Sequence, residues 1–104
     1  MNQQVLMKKI KKIQEEMLAT QQEIENTVFY ASAGGVVDVE VYGTKEIKAV
    51  KVEDSFEIES KEDIEMLSEM IVAACNQAYR EIEKTTKEKM DKYNSMLGGF
   101  GGLF

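Results

Sequence analysis

Seven cations in this chain fall into two groups whose spacing could engage an anionic partner. Lys8, Lys9, Lys11 and Lys12 lie within five positions, and Arg80, Lys84 and Lys87 recur at i, i+4 and i+7. A flexible ammonium is a compact point charge suited to phosphate or carboxylate oxygens. With Arg80 the sole arginine, planar bidentate recognition has almost no material to work with. Other chemistries are poorly supplied. There is no histidine, which removes the side chain most used for general acid–base work and metal binding near neutral pH. The single cysteine, Cys75, excludes an internal disulfide and a multi-cysteine zinc site, and lies in the most apolar stretch, where it reads as a small buried core residue. Gly34-Gly35 is too short for a phosphate-cradling loop and precedes a strand. Carboxylates are plentiful but fall on helix surfaces or in a connector. No catalytic constellation is legible, and neither a cofactor nor a small-molecule substrate is implied.

The elements that would position these cations can be read from periodicity. Leu6, Ile10, Ile13, Met17 and Ile24 make a narrow helical stripe, with polar Thr20 in its gap, and predict a helix over about 3–25. Its lysines crowd the N-terminal half, where the helix dipole disfavours cations. Two readings fit this arrangement: a solvated helix face, or a ligand surface that keeps a locally unfavourable charge order. The segments 28–33, 36–42 and 46–52 read as strands. Val37, Val39 and Val41 alternate with Asp38 and Glu40, the pattern of a strand buried on one face. Gly34-Gly35 supplies the positive φ of a tight hairpin turn, and Gly43-Thr44 punctuates the next one. The connections are too short for a crossover, so the strands form an antiparallel meander. Lys45, Lys48 and Lys51 read as edge-strand charges that deter aggregation.

The chain carries a net charge of −6, and the whole excess lies in residues 53–65, where seven acids face only Lys61. That connector offers Phe56 and Ile58 as anchors to the core. It lacks the glycine turn and alternating ligands of a calcium loop. Ser60 with Asp63 forms a capping box for a second helix over about 61–93. Ile64, Leu67, Ile71, Ala74, Ala78 and Ile82 form its main stripe, and Met70 to Ala78 is apolar nearly all round. Such a helix outruns a small sheet, so its C-terminal half is expected to project into solvent or pack on another chain. Residues 94–104, rich in glycine, are expected to be a flexible tail, with docking of Phe100 or Phe104 as the lesser alternative. No apolar run approaches the length of a membrane span, and the N-terminus lacks a signal-peptide core, so a cytoplasmic location is expected. The 104 residues make one α+β domain, 1–104.

Met7-Lys8-Lys9-Ile10 with Ile13-Gln14-Glu15-Glu16-Met17, then Ala33-Gly34-Gly35-Val36-Val37-Asp38-Val39, resemble the YbaB/EbfC family of bacterial nucleoid-associated proteins. Gly43 with Ile47-Lys48-Ala49-Val50-Lys51-Val52 fits it too, as do Ile71 to Ala78, Lys87-Glu88-Lys89-Met90 and the glycine-rich tail. The chain departs from the family in a short or missing glycine-rich leader and in the absence of proline near Ser55. The resemblance implies an α-β-β-β-α subunit in an intertwined homodimer with projecting helical arms. It also implies binding of double-stranded DNA with little sequence specificity, in the nucleoid. On residues alone, two functions stand level. One is backbone-directed DNA binding through Lys8, Lys9, Lys11, Lys12, Arg80, Lys84 and Lys87. The other is a protein-interaction module whose arms and Phe/Gly tail clasp a protein partner. The resemblance favours DNA.

Overall fold

A computed structural model describes residues 2–99. The element order is α1 (Gln3–Asn26), β1 (Val28–Ala33), β2 (Val37–Tyr42), β3 (Ile47–Val52) and α2 (Lys61–Gly98). The strands form one antiparallel sheet in the order β1-β2-β3, the expected meander. The molecule is elongated, with extents of 72 × 20 × 15 Å.

Each helix starts on a side-chain cap that satisfies an orphan amide. Asn2 accepts from the Val5 N–H at 2.9 Å. Ser60 and Asp63 form the expected reciprocal capping box, with Asp63 accepting from the backbone of Ser60 at 3.1 Å. At the other end of α1 the Thr27 hydroxyl donates to the Glu23 carbonyl at 2.7 Å, closing the last turn.

Gly34 and Gly35 have φ of 62° and 67°, which joins β1 to β2 by the tight turn their type permits. The β2–β3 turn works differently. There the residue at positive φ is Lys45, at 75°, and the Lys45 N–H donates to the Tyr42 carbonyl at 2.8 Å. Gly43 serves another purpose: a Cβ at that position would overlap the Ile24 carbonyl of α1. This close approach of backbone to backbone is where α1 meets the sheet.

Val37, Val39 and Val41 are fully buried against α2, together with Ala31, Ala74, Ala78 and Ile82. Their cross-strand partners on β3 are Val52, Val50 and Ile47. Strict alternation would turn Lys48 inward after Val50. A bulge opposite Glu40/Val41 leaves Lys48 out of the pairing, so that Ile47 takes the inward place. α2 nevertheless packs over β1 and β2, and Ile47, Val50 and Val52 remain exposed within this chain.

Several boundaries and burials differ from the sequence expectations. α2 continues through Gly98, so residues 94–98, expected in the tail, are helical. Favourable helix formers and packing on α1 outweigh the thinning of the apolar pattern past Ile82. The tail residues Phe100 and Phe104 lie outside the described residues. The C-terminal half of α2 does run past the sheet, but α1 of the same chain packs along it. Phe56 is half-buried, whereas Ile58, the other expected anchor, is exposed. Cys75 borders the core but is only half-buried, because the flank of α2 that carries it has no cover within one chain.

Candidate nucleic-acid interface

The expected cations lie along the helical arm formed by α1 and the second half of α2. Two contacts define that arm. At its base, Gln21 and Glu25 of α1 face Ile82, Glu83, Thr86 and Lys87 of α2 across an open cleft of about 520 Å³. Further out, the Tyr93 hydroxyl hydrogen-bonds the Thr20 hydroxyl at 2.9 Å. Tyr93 is 6% exposed, and Ile10, Ile13 and Ile24 are buried, so a narrow apolar seam holds the two helices antiparallel. Thr20, which interrupts the α1 stripe in sequence, thus has a polar partner, and no buried polar side-chain atom lacks one among the described residues.

Lys8, Lys9, Lys11 and Lys12 are all exposed and spread around the sides of α1 away from the seam. Lys9 and Lys12 line a groove of about 410 Å³ with Ile13, Glu16 and Met96, the last reaching across from α2. Lys8 and Lys11 line a second depression, of about 370 Å³, on another side of α1, with Met7, Ile10 and Gln14. Arg80, Lys84 and Lys87 are exposed as well. At about 100° per residue Arg80 and Lys84 lie on the outer side of α2, away from the buried Ala78–Ile82 edge, whereas Lys87 borders the cleft shared with Gln21 and Glu25 of α1. The two groups therefore share the arm without merging. Lys87 is level with Gln21, which sets it some 15–20 Å along the arm from Lys8–Lys12 at ~1.5 Å per residue.

Lys45 plays a different part from the edge lysines it resembles in sequence. Its Nζ donates to Glu83 Oε1 at 2.8 Å, and its carbonyl accepts from the Tyr79 hydroxyl at 3.2 Å. The β2–β3 turn is thereby tied to α2 where the arm begins. The hydrogen bond from Lys45, and then its charge, hold the Glu83 carboxyl below the ordinary value of 4.5. Lys51 pairs with Glu40 at 3.3 Å on the outer face of the sheet.

Sequence reasoning passed over Lys89 and Lys92. They recur with Met96 at i, i+3 and i+7, which is one edge of α2, and Met96 borders Lys9 and Lys12. The signal was present as spacing. It was lost because Met96 was assigned to the tail, which removed the residue that fixes the edge. Among the described residues no group of three or more His, Cys, Asp or Glu side chains could hold a metal ion. No helix among the described residues is long and apolar enough to cross a membrane.

A model of the YbaB/EbfC DNA-binding family matches residues 1–97. The chain belongs to this family. Similar sequences include a nucleoid-associated protein of Ruminiclostridium cellulolyticum, 35% identical, covering 99% of this chain and 89% of the relative. Another is a nucleoid-associated protein of Clostridium novyi, 41% identical over 100% of this chain and 90% of the relative. Among solved structures, an uncharacterized protein from Helicobacter pylori, HP0035, has the same fold. Its TM-score is 0.69 at 22% identity, covering 88% of this chain and 96% of that one. The α-β-β-β-α architecture read from the sequence is that of the chain and is shared with this neighbour.

Proposed function

We propose that this YbaB/EbfC protein is a nucleoid-associated homodimer. In this reading it grips the backbone of duplex DNA with little sequence preference and contributes to nucleoid organisation or gene regulation. Family membership over residues 1–97 carries the reading. The names of the similar bacterial proteins point the same way. The arm adds the physical means: Lys8, Lys9, Lys11, Lys12, Arg80, Lys84 and Lys87 are exposed point charges on a rigid helical pair. Such charges suit phosphate contact and counterion release more than base readout.

Dimerisation is supported by what one chain leaves uncovered. Val72 is 58% exposed in the middle of α2, and the inward residues Ile47, Val50 and Val52 of β3 are 44%, 41% and 40% exposed. A second copy covering both would complete the core and double the number of phosphate contacts. The nucleoid, within the cytoplasm, is the location that follows.

The test is a titration of random-sequence duplex at about 50 and 200 mM salt, where phosphate binding must weaken steeply. Reversing Lys8, Lys9, Lys11 and Lys12 to Glu is expected to remove most of the affinity, nearly equally for all duplex sequences. Thermal stability should hold or rise by about 0.3–1 kcal/mol per well-placed charge, since acids suit a helix N-terminus. An unchanged affinity and salt slope in the folded variant would exclude α1 as the contact surface.

A further inference from the structure

Resting on the DNA-binding reading above, we infer that one flank of the arm seats a single sugar–phosphate strand, with Lys89 and Lys92 of α2 as phosphate contacts nearer the arm's base than Lys9 and Lys12 of α1. The groove between the helices has two features that suit such an occupant. Its rim on α1 is Lys9 and Lys12, and its floor is Ile13 with Met96, which is 45% exposed. Lys89 and Lys92 are exposed and continue the Met96 edge beyond the groove, toward the arm's base. Ammonium groups along this path meet successive phosphates, while the apolar floor meets the deoxyribose face that every nucleotide presents. A surface built this way reads no base edge.

Lys92 is already held in place for this role. Its Nζ lies 4.8 Å from the centroid of the Tyr93 ring, and the Tyr93 hydroxyl is bonded to Thr20 across the seam. The ring anchors the lysine stem beside the α1–α2 junction by a cation–π contact, which restricts its rotamers before any ligand arrives. Three acids border the flank: Glu16 in the groove wall, Glu23 two turns further along the same face of α1, and Glu88 one turn before Lys92. Four lysines against these three leave the flank weakly cationic. Arg80 and Lys84, by contrast, lie on the outer side of α2, with no apolar floor between them and α1.

The experiment compares the full chain with Lys89→Gln/Lys92→Gln, Lys89→Arg/Lys92→Arg, Met96→Ala and Lys61→Gln. Fluorescence anisotropy with a labelled random-sequence duplex is read across a salt series. The Gln pair is expected to lower the slope of log affinity against log salt by about 0.9 per lost contact, or about 1.8 per engaged arm. That corresponds to roughly 60-fold weaker binding near 0.1 M salt. The Arg pair should restore the parental slope, because it keeps the charge. Met96→Ala should weaken binding several-fold with the slope unchanged. Lys61→Gln, at the opposite end of α2, should match the parent. A Gln pair with parental affinity and slope overturns the inference while leaving DNA binding intact. So does an Arg pair that fails to rescue, since shape and not charge would then be at stake. If the parent itself does not bind duplex at low salt, or binds without salt dependence as an apolar clasp on protein would, the functional reading fails first.

Discussion

At the sheet end of the molecule, Ile47, Val50 and Val52 of β3 are 44%, 41% and 40% exposed although they point to the same face as the fully buried Val37, Val39 and Val41. Along the arm, the positions at the seam are closed by this chain's own helices, with Ile10, Ile13, Ile24 and Tyr93 all buried. Of the apolar residues left outside there, Val5, Met7 and Leu18 are scattered singly among charges, as on any protein surface, and Met96 lies in the groove beside Lys9 and Lys12. The sheet end thus lacks apolar cover, and the arm has apolar closure with a surplus of exposed ammonium groups. In the reading proposed above, one end meets a second copy and the other meets an anion. Separating the two jobs would let a dimer core be tight while the arms stay solvated for a ligand.

The comparison breaks most directly at β3. Val50→Asp/Val52→Asp places two carboxylates where a second copy is expected to seat, and each buried unpaired charge costs several kcal/mol. The expected outcome is loss of the dimer and, with it, of most stability, measured by sedimentation and thermal unfolding together. The same pair of substitutions on a surface that stays wet would cost little. A variant that sediments and melts like the parent would show that β3 is a free surface.

A somewhat smaller effect is expected at the joint between the two regions. Gly43→Ala introduces a Cβ into the Ile24 carbonyl, and both partners are backbone, so neither can swing aside. A cost of about 3 kcal/mol, the upper range for overpacking, is expected. It should appear as a lower melting temperature with the dimer retained. Gly35→Ala has open space around its Cβ and only the strain of positive φ, so it should cost about 1 kcal/mol.

These two glycines also mark what the sequence could and could not convey. Gly34-Gly35 was legible because a glycine pair between alternating runs has one common use, a turn at positive φ. Gly43 was legible as punctuation, yet its reason is a contact with α1 nineteen positions earlier, which local pattern cannot contain. The valine alternation of β2 gave both the strand and its buried face. The bulge at Lys48 was not legible, because it depends on which residues of β2 stand opposite. On the arm, the lysine clusters were evident from spacing. Their separation into an α1 group, an outer α2 group and a groove edge required the antiparallel seam, which is set by tertiary pairing of Thr20 with Tyr93. The α2 boundary was missed by five residues for a related reason. Met96 and Leu97 look like isolated apolar residues in a glycine-rich tail until α1 is laid beside them.

The Thr20–Tyr93 hydrogen bond sharpens the comparison from within the arm. If its role is to fix the register of α1 on α2, Tyr93→Phe should cost about 1 kcal/mol, a typical net value for one hydrogen bond. It leaves the Thr20 hydroxyl unpaired in a half-buried place. Tyr93→Phe combined with Thr20→Val removes both polar groups and should recover much of that loss. The double-mutant cycle measures the coupling. Independent additivity of the two substitutions would show that the seam holds by apolar packing alone.

The smallest effect concerns the tie between the sheet and the arm, Lys45 to Glu83. Both groups are exposed, so their pairing is screened by solvent and salt, and its contribution to stability is small. Its sign with pH is nevertheless definite. The Lys45 hydrogen bond and charge lower the folded-state pKa of Glu83 below the ordinary 4.5. A depressed carboxylate pKa means that the unfolded chain takes up the proton first as pH falls. The contribution is therefore fully present above the unfolded value. It declines as pH drops below about 4.5 and is gone once Glu83 is protonated in the folded state too. Glu83→Gln keeps an acceptor for Lys45 and removes the charge. The melting temperature of the parent minus that of this variant should thus be small and positive near neutral pH and shrink toward zero through the acidic side of 4.5. Added salt should erase it at neutral pH. A difference that persists unchanged at low pH would mean that the contact acts through shape at the base of the arm, and that the ionic tie between turn and helix is incidental.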